Sequence, residues 1–299
     1  MRFDAWNVSI SVEWLPDIDT LLEAELSAEL GPIGRGLHGY RHSRKIKVAG
    51  STVGILLFGG NGGRFFIEMK GEVSQRWSEI VQNWALQVDC EVHLTRADVC
   101  HDWEDDRDVV QLSSVLRDSV KFALASRPGP PVQWSQQGDW CDPVGRLRGC
   151  TLYMGAPSSS FRVRLYDKGR ELMGKGIEAS DRLRRVEVQA RSSSLEERIM
   201  WARLPPSSFW RCSNSVTAVA DCFGIAKGDE LLFRQRPDRL DDDALFDLIS
   251  EQYGGPVIRF FHRHLEASNG SCEELLHLIS QDVQARKLRR QRLRRRLAS

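Results

Sequence analysis

The chain has 299 residues, of which 41% are hydrophobic and 28% charged, a balance that excludes a disordered or fibrous protein. Its apolar runs are all shorter than the roughly 18 residues of a membrane-spanning helix, and its first twelve residues carry charges where a signal peptide has an apolar core. We therefore expect a soluble protein of the cytoplasm. Seven cysteines, an odd number without a C-x-x-C pair, predict reduced thiols.

The first half of the chain alternates predicted strands and helices. A strand precedes Pro16, leucines at helical spacing follow it, and glycine-rich turns then join three short strands in an antiparallel meander. The predicted strands are 8–14, 44–48, 53–58, 64–70, 91–103, 150–154, 161–168 and 183–191, and the predicted helices are 16–30, 74–87, 108–125 and 194–203.

Pro205-Pro206 marks the predicted domain boundary. We predict an α+β protein in which an antiparallel sheet with helices packed on one face forms a domain of residues 1–204. Residues 205–299 are predicted to form a mostly helical C-terminal region with a basic tail.

The tail concentrates positive charge. The formal net charge is +1, but the last fourteen residues contain eight Lys or Arg and no acid, which leaves −7 for the rest of the chain. Eight cations exceed what a helix dipole explains and predict attraction to the phosphates of DNA, with an acidic membrane surface or a protein partner as alternatives. The tail residues predicted to bind DNA are Arg289, Arg290, Arg294 and Arg295.

Three predicted strands carry charged residues at every second position. Alternate side chains of a strand point to the same face of a sheet, so each series shares one face. The series are Arg96, Asp98, Cys100 and Asp102; Arg162, Arg164, Tyr166 and Lys168; and Arg185, Glu187, Gln189 and Arg191. The intervening positions are mostly apolar and predict the core side.

Carboxylates set among arginines suit a divalent metal that meets a phosphate. We predict Asp98, Asp102 and Glu187 as ligands of Mg²⁺ or Mn²⁺. The predicted nucleophile is Tyr166, whose phenolate the metal and Lys168 would favour. The arginines of the same series are predicted to hold DNA: Arg96, Arg162, Arg164, Arg185 and Arg191. A structural alternative is open, since Tyr is common in strands and alternating Arg and Glu form ordinary cross-strand pairs.

Three phrases occur in an order that resembles the replication initiation factor family, the rolling-circle initiators of plasmids and filamentous phages. The first is Thr95-Arg96-Ala97-Asp98 with Asp102 four residues on, the second is GCTLYMG at 149–155 with RVRLYDKG at 162–169, and the third is Arg185-Val186-Glu187. The resemblance runs from about Gly36 to Arg191 and does not extend beyond Pro205.

This resemblance implies a metal-dependent enzyme that nicks and rejoins one DNA strand at an origin. It implies that Tyr166 is the nucleophile and that Asp98, Glu187 and Asp102 are the acidic positions. The implied partners are single-stranded or supercoiled origin DNA and a host helicase and polymerase in the cytoplasm of a bacterial host, with no membrane and with a homodimer as one compatible state.

Two other functions fit the same residues. A non-catalytic DNA-binding regulator derived from such an initiator would hold DNA without cutting it. A recombinase-like or resolvase-like tyrosine nuclease would cut without a metal, so chelation distinguishes it from an initiator.

Overall fold

A computed structural model describes residues 1–125, 132–138, 140, 149–192 and 194–228. Its main feature is an eleven-stranded antiparallel sheet with the order β2-β4-β5-β6-β1-β7-β11-β10-β9-β8, in which β3 also pairs with β4. The strands are β1 Arg2–Ser11, β2 Glu29–Leu30, β3 Gly34–Arg35, β4 Tyr40–Val48, β5 Ser51–Gly60, β6 Arg64–Lys70, β7 His93–Glu104, β8 Trp134–Gln137, β9 Thr151–Met154, β10 Phe161–Tyr166 and β11 Leu183–Ala190. The predicted α+β class with a large antiparallel sheet is confirmed.

Six α-helices accompany the sheet in the described part of the chain. They are α1 Leu15–Leu26, α2 Val73–Val88, α3 Val109–Leu124, α4 Lys168–Gly174, α5 Leu195–Trp201 and α6 Asn214–Cys222, with 3-10 helices at Val12–Trp14, Asn61–Gly63 and Pro206–Arg211. Local sequence explains several ends: Asp108 and Gln111 form a capping box before α3, and α1 ends where Ser27 turns left-handed at φ 49°. None of the helices described is long and apolar enough to cross a membrane.

One buried core joins the sheet to these helices. Trp6, Trp77, Trp201 and Trp210 are all fully buried within it. Because Trp210 follows the predicted boundary at residues 204 and 205, the first elements beyond that boundary share the sheet's core. The boundary itself stays a prediction, and the predicted helices and tail of residues 229–299 lie outside the described residues.

The structure differs from the prediction around the end of β10. That strand ends at Tyr166, and Lys168 begins α4 instead of continuing the strand. A Cβ on Gly169 would lie 1.8 Å from the Ser180 carbonyl oxygen, so the chain turns where a glycine permits close backbone packing. The prediction that Lys168 shares a strand face with Tyr166 is therefore wrong.

Candidate active site

The site forms where β7, β11 and β10 lie side by side. In the antiparallel register, Arg185 of β11 lies opposite both Asp102 and Tyr166, and Glu187 lies opposite Cys100 and Arg164. Directly opposed residues project from the same face of a sheet. The polar series of the three strands therefore come together on one face, as the alternation predicts, with the exception of Lys168.

Tyr166 lies beside a buried carboxylate. Its hydroxyl donates to Oε2 of Glu187 at 3.4 Å, while Arg164 donates to Oε1 of the same carboxylate. The Tyr166 ring is half-buried, and burial followed by the negative charge of Glu187 raises the pKa of its phenol, against the opposing effect of Arg185. The lowering of this pKa that a bound metal would cause stays a prediction.

Lys168 is engaged with a different carboxylate. Its Nζ lies 3.0 Å from Oε2 of Glu171, one helical turn on, and 5.9 Å from the centre of the Tyr166 ring. The lysine thus stands over the ring and does not bond the hydroxyl. It can approach a ligand beside the tyrosine because both residues line the same pocket.

Asp98 and Glu187 form a pair of buried carboxylates. Their exposed fractions are 3% and 0%, and a terminal nitrogen of Arg164 bonds Glu187 and lies 4.0 Å from Oδ2 of Asp98. Arg96 holds Asp98 by two hydrogen bonds of 2.8 and 2.5 Å. Burial, and then the charge of Asp98, raise the pKa of Glu187 to about 7 although Arg164 opposes the shift.

Asp102 belongs to a separate ion-pair cluster. Arg185 donates to its two oxygens at 2.5 and 2.7 Å and to Asp4 at 2.7 Å, and Arg2 reaches Asp102 at 3.1 Å. Burial alone would raise the pKa of Asp102, but the hydrogen bonds and charges of Arg185 and Arg2 together outweigh it and hold that pKa below its usual value. Arg185 is 1% exposed and its guanidinium is engaged with these carboxylates, so its predicted contact with DNA has no support in the geometry and stays a prediction.

A pocket of about 290 Å³ opens in front of Tyr166. Arg164 and Lys168 contribute positive charges to its walls, Asp4, Asp167 and Glu171 contribute negative ones, and Tyr153 contributes an aromatic ring. The pocket therefore offers cations for a phosphate beside a potential oxygen nucleophile.

Three predicted DNA-binding arginines lie next to one another beyond this pocket. Burial, and then the nearby positive charge of Arg96, lower the pKa of Arg191, and Arg162 adds to that effect. Arg162 also stacks on Tyr153, with 3.9 Å between its guanidinium carbon and the ring centre. Crowded cations of this kind favour a bound anion. The four tail arginines predicted to bind DNA lie outside the described residues.

Asp98 and Glu187, two of the three predicted metal ligands, both lie within 4.0 Å of Arg164. Within the described ranges, no group of three or more His, Cys, Asp or Glu side chains converges on one point. Asp98 and Glu187 nonetheless supply two hard oxygen donors, and Mg²⁺ is commonly held by one or two carboxylates together with substrate phosphates. All three carboxylates are paired with arginines, Asp98 with Arg96, Glu187 with Arg164 and Asp102 with Arg185. Their role as metal ligands stays a prediction.

Sequence reasoning missed several residues that line this region. Arg2 and Asp4 enter from the first half of β1, which alternation marked as a strand only from Val8 onward. Glu171 lies in α4, which had no predicted helix, and its spacing from Lys168 is visible only once that helix is known. In each case the missing information was the element that carries the residue.

Comparisons with known proteins support the fold. No family model and no curated protein matches the chain. Among solved structures, the rolling circle replication initiator protein from Geobacillus stearothermophilus is similar, with a TM-score of 0.51 and 19% sequence identity over 77% of this chain and 98% of that one. A protein from the dynemicin biosynthetic locus matches with a TM-score of only 0.25 and 11% identity, over 74% and 96% of the two chains. At 19% identity, the first likeness demonstrates a shared fold.

Proposed function

We propose that this chain initiates rolling-circle replication by nicking one DNA strand through Tyr166. The observation that carries the proposal is the position of Tyr166, whose hydroxyl bonds the buried Glu187 and which lines a pocket together with Arg164 and Lys168. The shared fold with a rolling circle replication initiator supports the same function. The ordered phrases on β7, β10 and β11 support it independently, because they bring their polar residues to one face.

In the proposed reaction, the phenolic oxygen of Tyr166 attacks a backbone phosphorus. A bond forms between that oxygen and phosphorus, and the bond from phosphorus to the 3′ oxygen breaks. The strand's 5′ end becomes a phosphotyrosine, and the departing 3′ oxygen takes up a proton to become a free hydroxyl. The covalent bond conserves the phosphodiester's energy, so attack by a 3′ hydroxyl on the same phosphotyrosine rejoins a strand.

The residues around Tyr166 are proposed to accept its proton, stabilise the phosphate and bind the metal. Oε2 of Glu187 orients the phenol and is the acceptor for its proton. Arg164 and Lys168 stabilise the charge that develops on the phosphate oxygens. Asp98 and Glu187 would hold Mg²⁺ or Mn²⁺, whose chemistry is to polarise the phosphate and favour the phenolate.

The test measures covalent capture of DNA. The full chain is incubated with a supercoiled plasmid carrying the DNA that flanks its gene, and with single strands of the same DNA, with Mg²⁺, with Mn²⁺ or with EDTA. We expect a denaturation-resistant adduct that needs the metal and disappears in Tyr166→Phe. Tyr153→Phe is the matched control, because Tyr153 lines the same pocket but its hydroxyl bonds Gln137 instead of Glu187.

One observation favours a second function, a DNA-binding regulator that does not cut. Arginines hold both carboxylates of the site, Asp98 and Glu187, and the pKa of the Tyr166 phenol is raised. A site with these properties can bind an anion without a reactive nucleophile. Metal-independent DNA binding with no adduct from the wild-type chain would select this function. An adduct that persists in EDTA would instead select a metal-independent tyrosine nuclease.

A further inference from the structure

A second pocket of about 360 Å³ lies on the same face of the sheet as Tyr166. Ser9 lies opposite both Phe66 of β6 and His93 of β7, and Asn7 lies opposite Arg96 of the candidate site. Since opposed residues share a face, the polar surface continues from Tyr166 across the sheet into this second pocket. Tyr166 and Phe66 are four strands apart, ~19 Å across the sheet, and the residues level with them on β7, Asp102 and His93, are nine positions apart, ~30 Å along that strand.

The pocket combines aromatic and cationic walls. Tyr40 and Phe66 stack with 6.4 Å between ring centres and 29° between planes, and both are half-buried. Arg64 and Arg198 are both among the lining residues, which include no carboxylate. Such a lining suits a ligand that has a flat ring and a negative charge.

Both arginines are fixed in place by their neighbours. Arg64 donates to the hydroxyl and carbonyl oxygens of Ser9 at 3.0 and 2.8 Å. Arg198 donates from Nε to the Ser192 carbonyl at 3.1 Å, and its terminal nitrogens bond no other residue in the part of the chain described. These cations are therefore positioned before any ligand arrives.

The arginines between the two pockets supply a path for a phosphate backbone. Arg96 and Arg162 both lie close enough to Arg191 to lower its pKa, after the larger effect of burial. Arg96 directly follows Thr95, which lines the second pocket, and it holds Asp98 of the first. A row of arginines between two pockets fits a single strand better than an isolated small molecule.

We propose that this pocket binds one unpaired nucleotide of the DNA strand that Tyr166 cuts, with the base against Tyr40 and Phe66 and the phosphate at Arg64 and Arg198. The proposal rests on the proposed function and extends it by adding a site that reads an unpaired base away from the cut. The occupied pocket would hold the strand in a fixed register. Base stacking on aromatic side chains is tolerant of sequence, so the site selects for single-stranded DNA more than for a particular base.

The test compares two labelled probes by fluorescence anisotropy, a short oligothymidylate and an abasic strand of the same length. The wild-type full chain should prefer the oligothymidylate by about tenfold, the order expected for one stacked base. Tyr40→Leu and Phe66→Leu should each reduce that preference several-fold, whereas Tyr40→Phe, which keeps the ring, should retain it. Arg198→Gln tests the phosphate contact and should weaken the binding of both probes equally, because both carry phosphates.

Three results overturn the proposal or separate it from the nicking hypothesis. If Tyr40→Leu and Phe66→Leu both keep the wild-type preference for oligothymidylate over the abasic strand, the pocket does not bind a base. Displacement of the oligothymidylate by an equal concentration of free thymidine monophosphate would assign the pocket to free nucleotides and overturn its role on a strand. Tyr166→Phe should keep the wild-type preference for oligothymidylate over the abasic strand. Loss of the covalent adduct in this variant therefore tests the proposed function and not this pocket.

Discussion

Replacing Arg185 with methionine tests how the candidate site is supported. Arg185 is 1% exposed and makes three hydrogen bonds of 2.5 to 2.7 Å to the carboxylates of Asp102 and Asp4. The substitution keeps a long apolar side chain but leaves two partly buried carboxylates without their main partner. The expected result is a large loss of stability, because an uncompensated buried charge costs more than the pair it once formed contributed.

The magnitude follows from the exposure of the partners. Breaking a fully buried ion pair typically costs about 3–5 kcal/mol. The Asp102 and Asp4 side chains are 20% and 24% exposed, and Asp102 keeps its 3.1 Å contact with Arg2. We therefore expect about 3 kcal/mol, at the lower end of that range.

Urea denaturation followed by tryptophan fluorescence measures this loss as a change in the free energy of unfolding. Arg182→Met is the control, because the Arg182 and Asp106 side chains of that pair are 51% and 85% exposed and the pair should contribute under about 1 kcal/mol. Adding Asp102→Asn to Arg185→Met should recover part of the stability, since it removes one stranded charge. A loss below about 1 kcal/mol in Arg185→Met would refute the reasoning.

The same variant has a pH signature. The pKa of Asp102 is lowered in the folded protein, so its ion pair contributes stability above the unfolded pKa of about 3.9 and loses it as pH falls through the folded pKa. Arg185→Met removes the cause of that lowering. The difference in unfolding free energy between wild type and variant should therefore shrink as the pH is lowered below about 4.

Two further predictions concern the scaffold. Asp108→Ala removes the capping box of α3 and should cost about 1 kcal/mol of unfolding free energy, measured by the same denaturation; no measurable loss would contradict the cap's role. Burial raises the pKa of Cys90 to about 11 and that of Cys100 to about 12, so both thiols should resist iodoacetamide at pH 8 while half-buried Cys222 reacts before either of them, as followed by mass spectrometry. Modification of Cys100 ahead of Cys222 in the folded chain would contradict the burial assignment.

Periodicity was sufficient to predict the regular elements and the polar face. The strand 64–70 is observed with those bounds, and the helix predicted at 74–87 is observed as Val73–Val88. Both have a strong local pattern, a two-residue alternation in one case and an apolar helix face in the other. The face shared by Asp98, Tyr166 and Glu187 followed from the same alternation.

Features that depend on tertiary packing were not predictable from these patterns. β8 at Trp134–Gln137 has only four residues and is defined by pairing with β9, and β2 and β3 have only two residues each within a segment predicted as a loop. The β10 strand ends earlier than predicted because Gly169 packs against the backbone of Ser180. The local alternation of residues gives no sign of that contact. Pairing among Asp98, Arg96 and Arg164 likewise depends on side-chain directions that parity does not determine.

The identity of the residue that carries DNA tests the central claim most directly. After reaction with single-stranded DNA and Mg²⁺, nuclease and protease digestion leave a peptide bearing the attached nucleotide, which tandem mass spectrometry can locate. The account predicts attachment to the oxygen of Tyr166. Attachment to Tyr153 or to any other residue, or no attached nucleotide under conditions where the DNA is nicked, would contradict it.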